Sequence, residues 1–114
     1  MTEPRIQTFA EFWPYYLREH SNATCRRLHY GGTGATIALA VTALATGNPQ
    51  LFWALPFVGY GPAWIGHFVF EKNRPATFRY PLWSLLSDFR MFGAAITGRI
   101  GDELKRAGVA LPAR

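Results

Sequence analysis

Residues 28–70 read LHYGGTGATIALAVTALATGNPQLFWALPFVGYGPAWIGHFVF: 43 consecutive positions, Leu28 to Phe70, without one Lys, Arg, Asp or Glu. All 12 Lys/Arg and all 7 Asp/Glu of the 114-residue chain lie in 1–27 or 71–114. A helix on the surface of a water-soluble domain needs a charged outer face, and this stretch has none to offer. The reading is an all-α fold built on a membrane helical hairpin, with amphipathic or interfacial helices on both flanks. A hairpin buried inside a larger soluble assembly is the rival.

Gly47-Asn48-Pro49-Gln50 is a turn signal that divides the stretch into two arms. Arm one, about Tyr30 to Thr46, is rich in Ala, Thr, Leu and Gly. Arm two, Leu51 to Phe70, is aromatic and is interrupted by Pro56, Gly59, Gly61 and Pro62. A span needs roughly 20 apolar residues; arm two has that length, and arm one reaches it only from about Leu28. Pro56 and Pro62 are expected to bend arm two. Gly32, Thr36 and Ala40 form a small-residue ridge for close helix contact. Arg26 and Arg27 precede arm one, Lys72, Arg74 and Arg79 follow arm two, and the tip is uncharged, so both termini are expected in the cytoplasm of a multi-pass membrane protein (the inner membrane in a bacterium). A signal peptide fits less well, because the apolar run starts late and a second arm follows.

The whole of 1–114 reads as one membrane-embedded domain, ordered over about 8–106 with a frayed tail at 107–114. Upstream, Phe9, Phe12, Trp13, Tyr16, Leu17 and His20 recur at helical spacing behind a capping box, Thr8 to Glu11, with Pro14 in conflict. Downstream, Leu82, Leu85, Leu86, Phe89, Phe92 and Ile96 form an apolar stripe opposed by Ser84, Ser87, Asp88, Arg90 and Arg99. This second helix is expected at the interface or over the cytoplasmic end of the hairpin.

The single Cys25 excludes an internal disulfide framework and reads as a packing residue. The net charge of +5 raises nucleic acid as a partner, but the basic residues flank apolar arms instead of forming a helix face with interleaved aromatics. No glycine loop for phosphate and no nucleophile elbow is present. The four tryptophans read as packing and interface anchors. Chemistry is left to His20, His29 and His67, each at an edge of the apolar stretch. Ser21-Asn22-Ala23-Thr24 offers a helix stop between the first two, so that His20 ends one helix, His29 opens the next, and both can face one spot. His67 sits at the same end of arm two, with Glu71 four residues on. Three imidazoles and a carboxylate can bind a divalent transition metal; the spacing alone lacks a short-range signature, and structural histidines are the alternative. Asp88 reads as a ligand, an arginine partner or a solvated acid. Haem ligation is unlikely, since nothing marks a haem pocket.

Tyr16-Leu17-Arg18-Glu19-His20-Ser21-Asn22, His29-Tyr30-Gly31-Gly32, Trp64-Ile65-Gly66-His67 and Glu71-Lys72-Asn73-Arg74-Pro75-Ala76 together resemble the Mpo-like family of small membrane proteins, long catalogued as a domain of unknown function. The resemblance runs from about Phe9 to Asp88, and Gly-His-x-x-x-Glu-x-x-x-Pro-Ala is its most specific part. It implies a non-haem iron(II)-dependent dioxygenase of 2-hydroxy fatty acids or related lipids, which removes one carbon by α-oxidation without 2-oxoglutarate. Its motif histidines carry over to His20, His29 and His67, as catalytic residues and Fe(2+) ligands. Glu71 and Asp88 are weaker ligand candidates, and Lys72, Arg74 and Asn22 are candidate substrate-binding residues. Expected partners are dioxygen and a membrane lipid or fatty acid, with a homo-oligomer allowed. The family's fungal enzymes are longer and have more membrane segments, so the substrate transfers less safely than the fold. The alternative is a non-catalytic membrane scaffold or lipid-binding module.

Overall fold

The computed structural model describes residues 5–109, and these are helical throughout with no strand among them. Helix α1 spans Phe9–Arg18, α2 Ala23–Thr46, α3 Leu55–Ile65, α4 Pro81–Ile96 and α5 Ile100–Arg106. Short 3-10 turns at Pro49–Ala54 and Ala76–Phe78 and a π-helical turn at Gly66–Glu71 connect them.

The local signals act as read. Thr8 caps α1, its hydroxyl accepting from the Glu11 backbone N–H at 3.2 Å. The helix then runs through Pro14, which forgoes the bond to the carbonyl of Ala10. Asn22 caps α2, its side-chain oxygen accepting from the N–H groups of Thr24 (2.9 Å) and Cys25 (3.1 Å). Gly47 closes α2 in the left-handed region at φ 64°, where a side chain would be strained. Beyond it α3 folds back along α2. A Cβ on Gly32 would stand 3.1 Å from the Gly59 carbonyl, and one on Gly59 would stand 3.1 Å from Thr36 Oγ1, so the small-residue ridge is where the two helices meet.

Two expectations need correction. The hairpin forms, but no helix among the described residues is long and apolar enough to cross a membrane. Length and apolarity fall on different arms. Helix α2 has 24 residues, about 36 Å at 1.5 Å each, but its first half is Arg, His, Tyr, Gly and Thr. Arm two is apolar but is split into a 3-10 turn, an 11-residue α-helix and a π turn. The expected pair of transmembrane spans is therefore not built. The tail also differs: Ala107 and Val109 are buried in the core, and the rest of the expected frayed segment, 110–114, lies outside the described residues.

The core lies in the charged ends of the chain. Phe12, Trp13, Tyr16 and Leu17 of α1 pack with Ala76, Tyr80, Met91 and Leu104. Trp13 Nε1 donates to Glu103 at 2.8 Å and fastens α1 to α5. Helix α4 faces opposite to its apolar stripe: Ser84, Ser87 and Met91 are buried, while Leu82 is 69% and Ile96 68% exposed. Small hydroxyl side chains let α4 approach closely, and its leucines face out. The hairpin does the same, with Val41, Leu44, Trp53 and Phe57 all exposed.

One close approach positions the site. A Cβ on Gly66 would come within 2.8 Å of Cys25 Sγ and 3.1 Å of Cys25 Cα, so only glycine lets the π turn carrying His67 lie against the start of α2. Gly61, in contrast, has open space around it. Gly66→Ala is expected to destabilise the fold by about 1–3 kcal/mol through overpacking. Gly61→Ala is expected to be neutral or stabilising by up to about 1 kcal/mol. Urea titration of both variants by circular dichroism checks the contrast.

Candidate metal centre

Three elements deliver three imidazoles to one point. His20 follows the end of α1, His29 stands in the early turns of α2, and His67 is on the π turn after α3. All three are buried. His20 Nε2 lies 3.0 Å from His29 Nε2 and 3.0 Å from His67 Nε2, and the three potential ligand atoms lie within 4.8 Å of one another.

The other ring nitrogens determine what this geometry means. His20 Nδ1 is 2.5 Å from the Tyr16 carbonyl, and His29 Nδ1 is 2.9 Å from the Cys25 carbonyl. His67 Nδ1 is 2.7 Å from Asn73 Oδ1. The Asn73 amide is oriented by its own donor group, which reaches the Glu19 carbonyl (3.1 Å) and Glu19 Oε1 (3.3 Å). Each Nδ1 therefore meets an acceptor and must carry the hydrogen. A neutral imidazole has one N–H, so each Nε2 presents a lone pair. The 3.0 Å separations are then not hydrogen bonds, because no proton stands between them.

Protonating a ring would relieve this, but the surroundings oppose it. Burial holds the His20 pKa well below its usual value, helped by His29 and His67. Burial likewise lowers His29 to about 4, and it lowers His67. Three neutral donors converging without a shared proton suit a cation. Two nitrogens about 2.1 Å from a common ion and at right angles are about 3.0 Å apart, the spacing of His20 Nε2 from each of the other two. An Nδ1–H tied to a carbonyl or amide oxygen is also the usual outer support of a ligating histidine. The donor set fits a divalent transition metal.

The remaining candidates lie elsewhere. Glu71 fastens the α1–α2 link: one oxygen accepts from Ser21 Oγ at 3.1 Å and the other from the Asn22 backbone N–H. Asn22 spends its side chain capping α2. Lys72 and Arg74 are exposed on the connection after the π turn, with Lys72 at φ 60°. Asp88 is not in the metal-ligating group; it accepts from the Tyr16 hydroxyl, and burial pushes its carboxyl up to about 6. Burial first, and then Glu71, push the Cys25 thiol up to about 12, so it stays a neutral packing group.

Three supporting residues were missed by reading the sequence. Asn73 holds the His67 tautomer. Tyr16 stacks on His20 with ring centroids 4.0 Å apart. Arg26 is buried and donates to the carbonyls of His20 (2.8 Å) and Ser21 (2.9 Å), a cation at the C-terminal end of α1 where the helix dipole favours it. A cavity of about 10 Å³ adjoins the imidazoles, bordered by Tyr60, Ser84 and Asp88. That is room for about one water. Ser84 Oγ is buried there without a partner.

The metal-free protein is expected to lose stability in acid. An unfolded histidine binds a proton below about pH 6.5, whereas the folded cluster refuses it, His29 down to about 4. The stability is complete above pH 6.5 and falls as pH drops through that window, since the unfolded state then binds more protons. Asp88 works in the opposite direction, binding its proton near 6 when folded, and so offsets part of the three histidines. Thermal melts of chelator-treated protein from pH 7.5 to 5 should show a falling Tm; a flat or rising Tm contradicts the neutral arrangement.

Residues 6–100 match the family described as 2-hydroxy-palmitic acid dioxygenase Mpo1-like. No curated protein and no solved structure matches the chain. The matched segment covers most of the 114 residues and contains all three histidines, Asn73 and Asp88. The chain belongs to the Mpo1-like family.

Proposed function

We propose that this member of the Mpo1-like family is an iron(II)-dependent dioxygenase that shortens 2-hydroxy fatty acids by one carbon, with His20, His29 and His67 as the metal ligands. One observation carries the reading: three Nδ1–H groups point outward to oxygen acceptors while three Nε2 lone pairs converge in a buried space. A bound iron(II) supplies activation of dioxygen beside a substrate able to chelate through its carboxylate and 2-hydroxyl.

The chain's own residues do the positioning. His20, His29 and His67 would hold the ion through their Nε2 atoms. The Tyr16 and Cys25 carbonyls and the Asn73 amide lock each imidazole in its donor tautomer. Burial excludes bulk water. Ser84 Oγ, buried without a partner against this space, offers a hydrogen bond to a polar head group. Lys72 and Arg74, exposed on the connection after the π turn, meet an incoming carboxylate by charge.

A lipid substrate also accounts for the surface. Trp53 is 81% and Phe57 78% exposed at the hairpin tip, and the outward leucines of α4 continue the apolar cover. Exposed apolar area on this scale marks a binding surface. We assign it to contact with a membrane, the hairpin seated in the lipid without crossing it and the charged ends in the aqueous phase.

Purified protein loaded anaerobically with iron(II) tests the metal assignment. His20→Ala, His29→Ala and His67→Ala should each lose most bound iron and all turnover while keeping their helical content. Asn73→Ala should weaken iron binding by about 10–100-fold. With dioxygen and 2-hydroxypalmitate, the wild type should yield the product one carbon shorter. If the three variants retain iron, the ligand assignment fails. Iron bound without turnover over a panel of chain lengths would leave a lipid-binding module.

A further inference from the structure

The space of about 10 Å³ beside the imidazoles has room for about one water and cannot house a substrate. A second space adjoins it. Helices α2, α3 and α4 enclose a groove of about 440 Å³, within the usual ~300–1,000 Å³ of small-molecule sites. Tyr60 and Asp88 line both spaces and so mark where the two border one another.

The groove's chemistry is graded along its length. At this border stand Asp88 and Tyr60, and beyond them lie the imidazoles and Ser84, whose Oγ has no hydrogen-bond partner among the described residues. Helix α2 contributes Thr33 and Thr36, Thr36 Oγ1 likewise unpartnered among the described residues, and the rest of the wall is Gly59, Pro56, Leu55 and Phe52 on the hairpin, faced by Leu85 and Phe89 of α4. Among the described residues of the lining Asp88 alone is charged and no Lys or Arg stands there, so the groove itself offers an anion no counter-charge and suits the uncharged part of a ligand. From Tyr60 to Phe52 the wall runs about 13 Å, five α-helical steps and three 3-10 steps. This is a narrow apolar trough with a polar group at one end, the shape and polarity of a single alkyl chain with an oxygenated head.

We propose that the groove between α2, α3 and α4 holds the hydrocarbon tail of a fatty acid whose head lies at Tyr60 and Asp88, the end of the groove nearest the imidazoles, with Leu85 and Phe89 setting the chain it accepts. The inference rests on the fatty-acid reading above, but tail binding does not need the metal, so the two can fail separately. The outward-facing leucine of α4 thereby gains a use: Leu85 is 45% exposed because it walls a groove that is open along one side.

The test uses the metal-free full chain and two photoreactive palmitate probes, one with a diazirine near the carboxyl group and one with a diazirine near the methyl end. After irradiation and peptide mapping, the distal probe should label Phe52, Leu55 or Phe89, and the proximal probe the region of Tyr60 or Asp88. Excess palmitate should abolish both. Leu85→Trp, which fills the groove, should cut distal labelling at least 10-fold while iron stoichiometry stays that of the wild type. Leu85→Ala serves if the tryptophan variant misfolds, and should shift the distal label along the groove. Label spread over Trp53 and Leu86 without competition, or labelling indifferent to both Leu85 variants, overturns the assignment. Groove labelling with no iron bound by the wild type would overturn the metal reading and leave the groove standing.

Discussion

Three lone pairs aimed at one another in a buried space are the constraint on which the rest of this structure depends. In the absence of a cation they repel, and burial denies them the proton that would relieve the repulsion. The surrounding contacts all hold this arrangement in place. The Tyr16 carbonyl at the end of α1, the Cys25 carbonyl in the first turn of α2 and the Asn73 amide after the π turn each take one Nδ1–H. Arg26 pins the carbonyls at the α1–α2 break, and Glu71 ties the same break to the far end of the π turn. The site is thus built where the end of α1, the start of α2 and the π turn meet, and the Tyr16 carbonyl, in the last turn of α1, is one of the groups a helix terminus leaves over.

The π turn belongs to this design. An α-helical continuation of α3 would carry His67 at a different angle about the helix axis. The wider turn lets Gly66 settle against Cys25 and swings the imidazole toward His20. Such insertions cost regularity and recur where a helix must present a functional group. Here the gain is one ligand atom placed 3.0 Å from another.

The distribution of apolar residues follows a second constraint. A chain of this size has one hydrophobic core, and α1, α4, α5 and the segment around Tyr80 use it up. What is left, the hairpin and the outer face of α4, has large side chains such as Leu44, Trp53, Phe57 and Leu82 on the outside, while Gly32, Thr33, Gly66, Ser84 and Ser87 are buried on the inside. Small inner residues let backbones approach and leave a groove beside the three imidazoles; the large outer ones form an exposed apolar surface. The uncharged stretch therefore marks a surface that sheds water, and the broken second arm is why that surface is not a pair of spans.

Much of this was legible in the residues themselves. The capping groups Thr8 and Asn22, the stop at Ser21-Asn22, the Gly47 turn and the Gly32–Thr36 ridge are local features whose energetics involve a few neighbouring atoms, so they act as read. The convergence of the three histidines follows from that topology, because a break between His20 and His29 and a hairpin returning His67 leave them at one end. The tertiary structure alone decided the rest. The Asn73 amide that faces His67 is held by Glu19, 54 residues away, and Asp88 pairs with a tyrosine 72 residues away; no spacing rule reaches that far. Helix α4 has a clear apolar stripe, but periodicity gives the faces of a helix and not which of them its neighbours cover. The acceptor that sets each tautomer is local, the Tyr16 and Cys25 carbonyls four residues before His20 and His29 and Asn73 six residues after His67. Only folding brings the Nε2 atoms of residues as far apart as His20 and His67 within 3.0 Å, because that approach depends on how the helices pack.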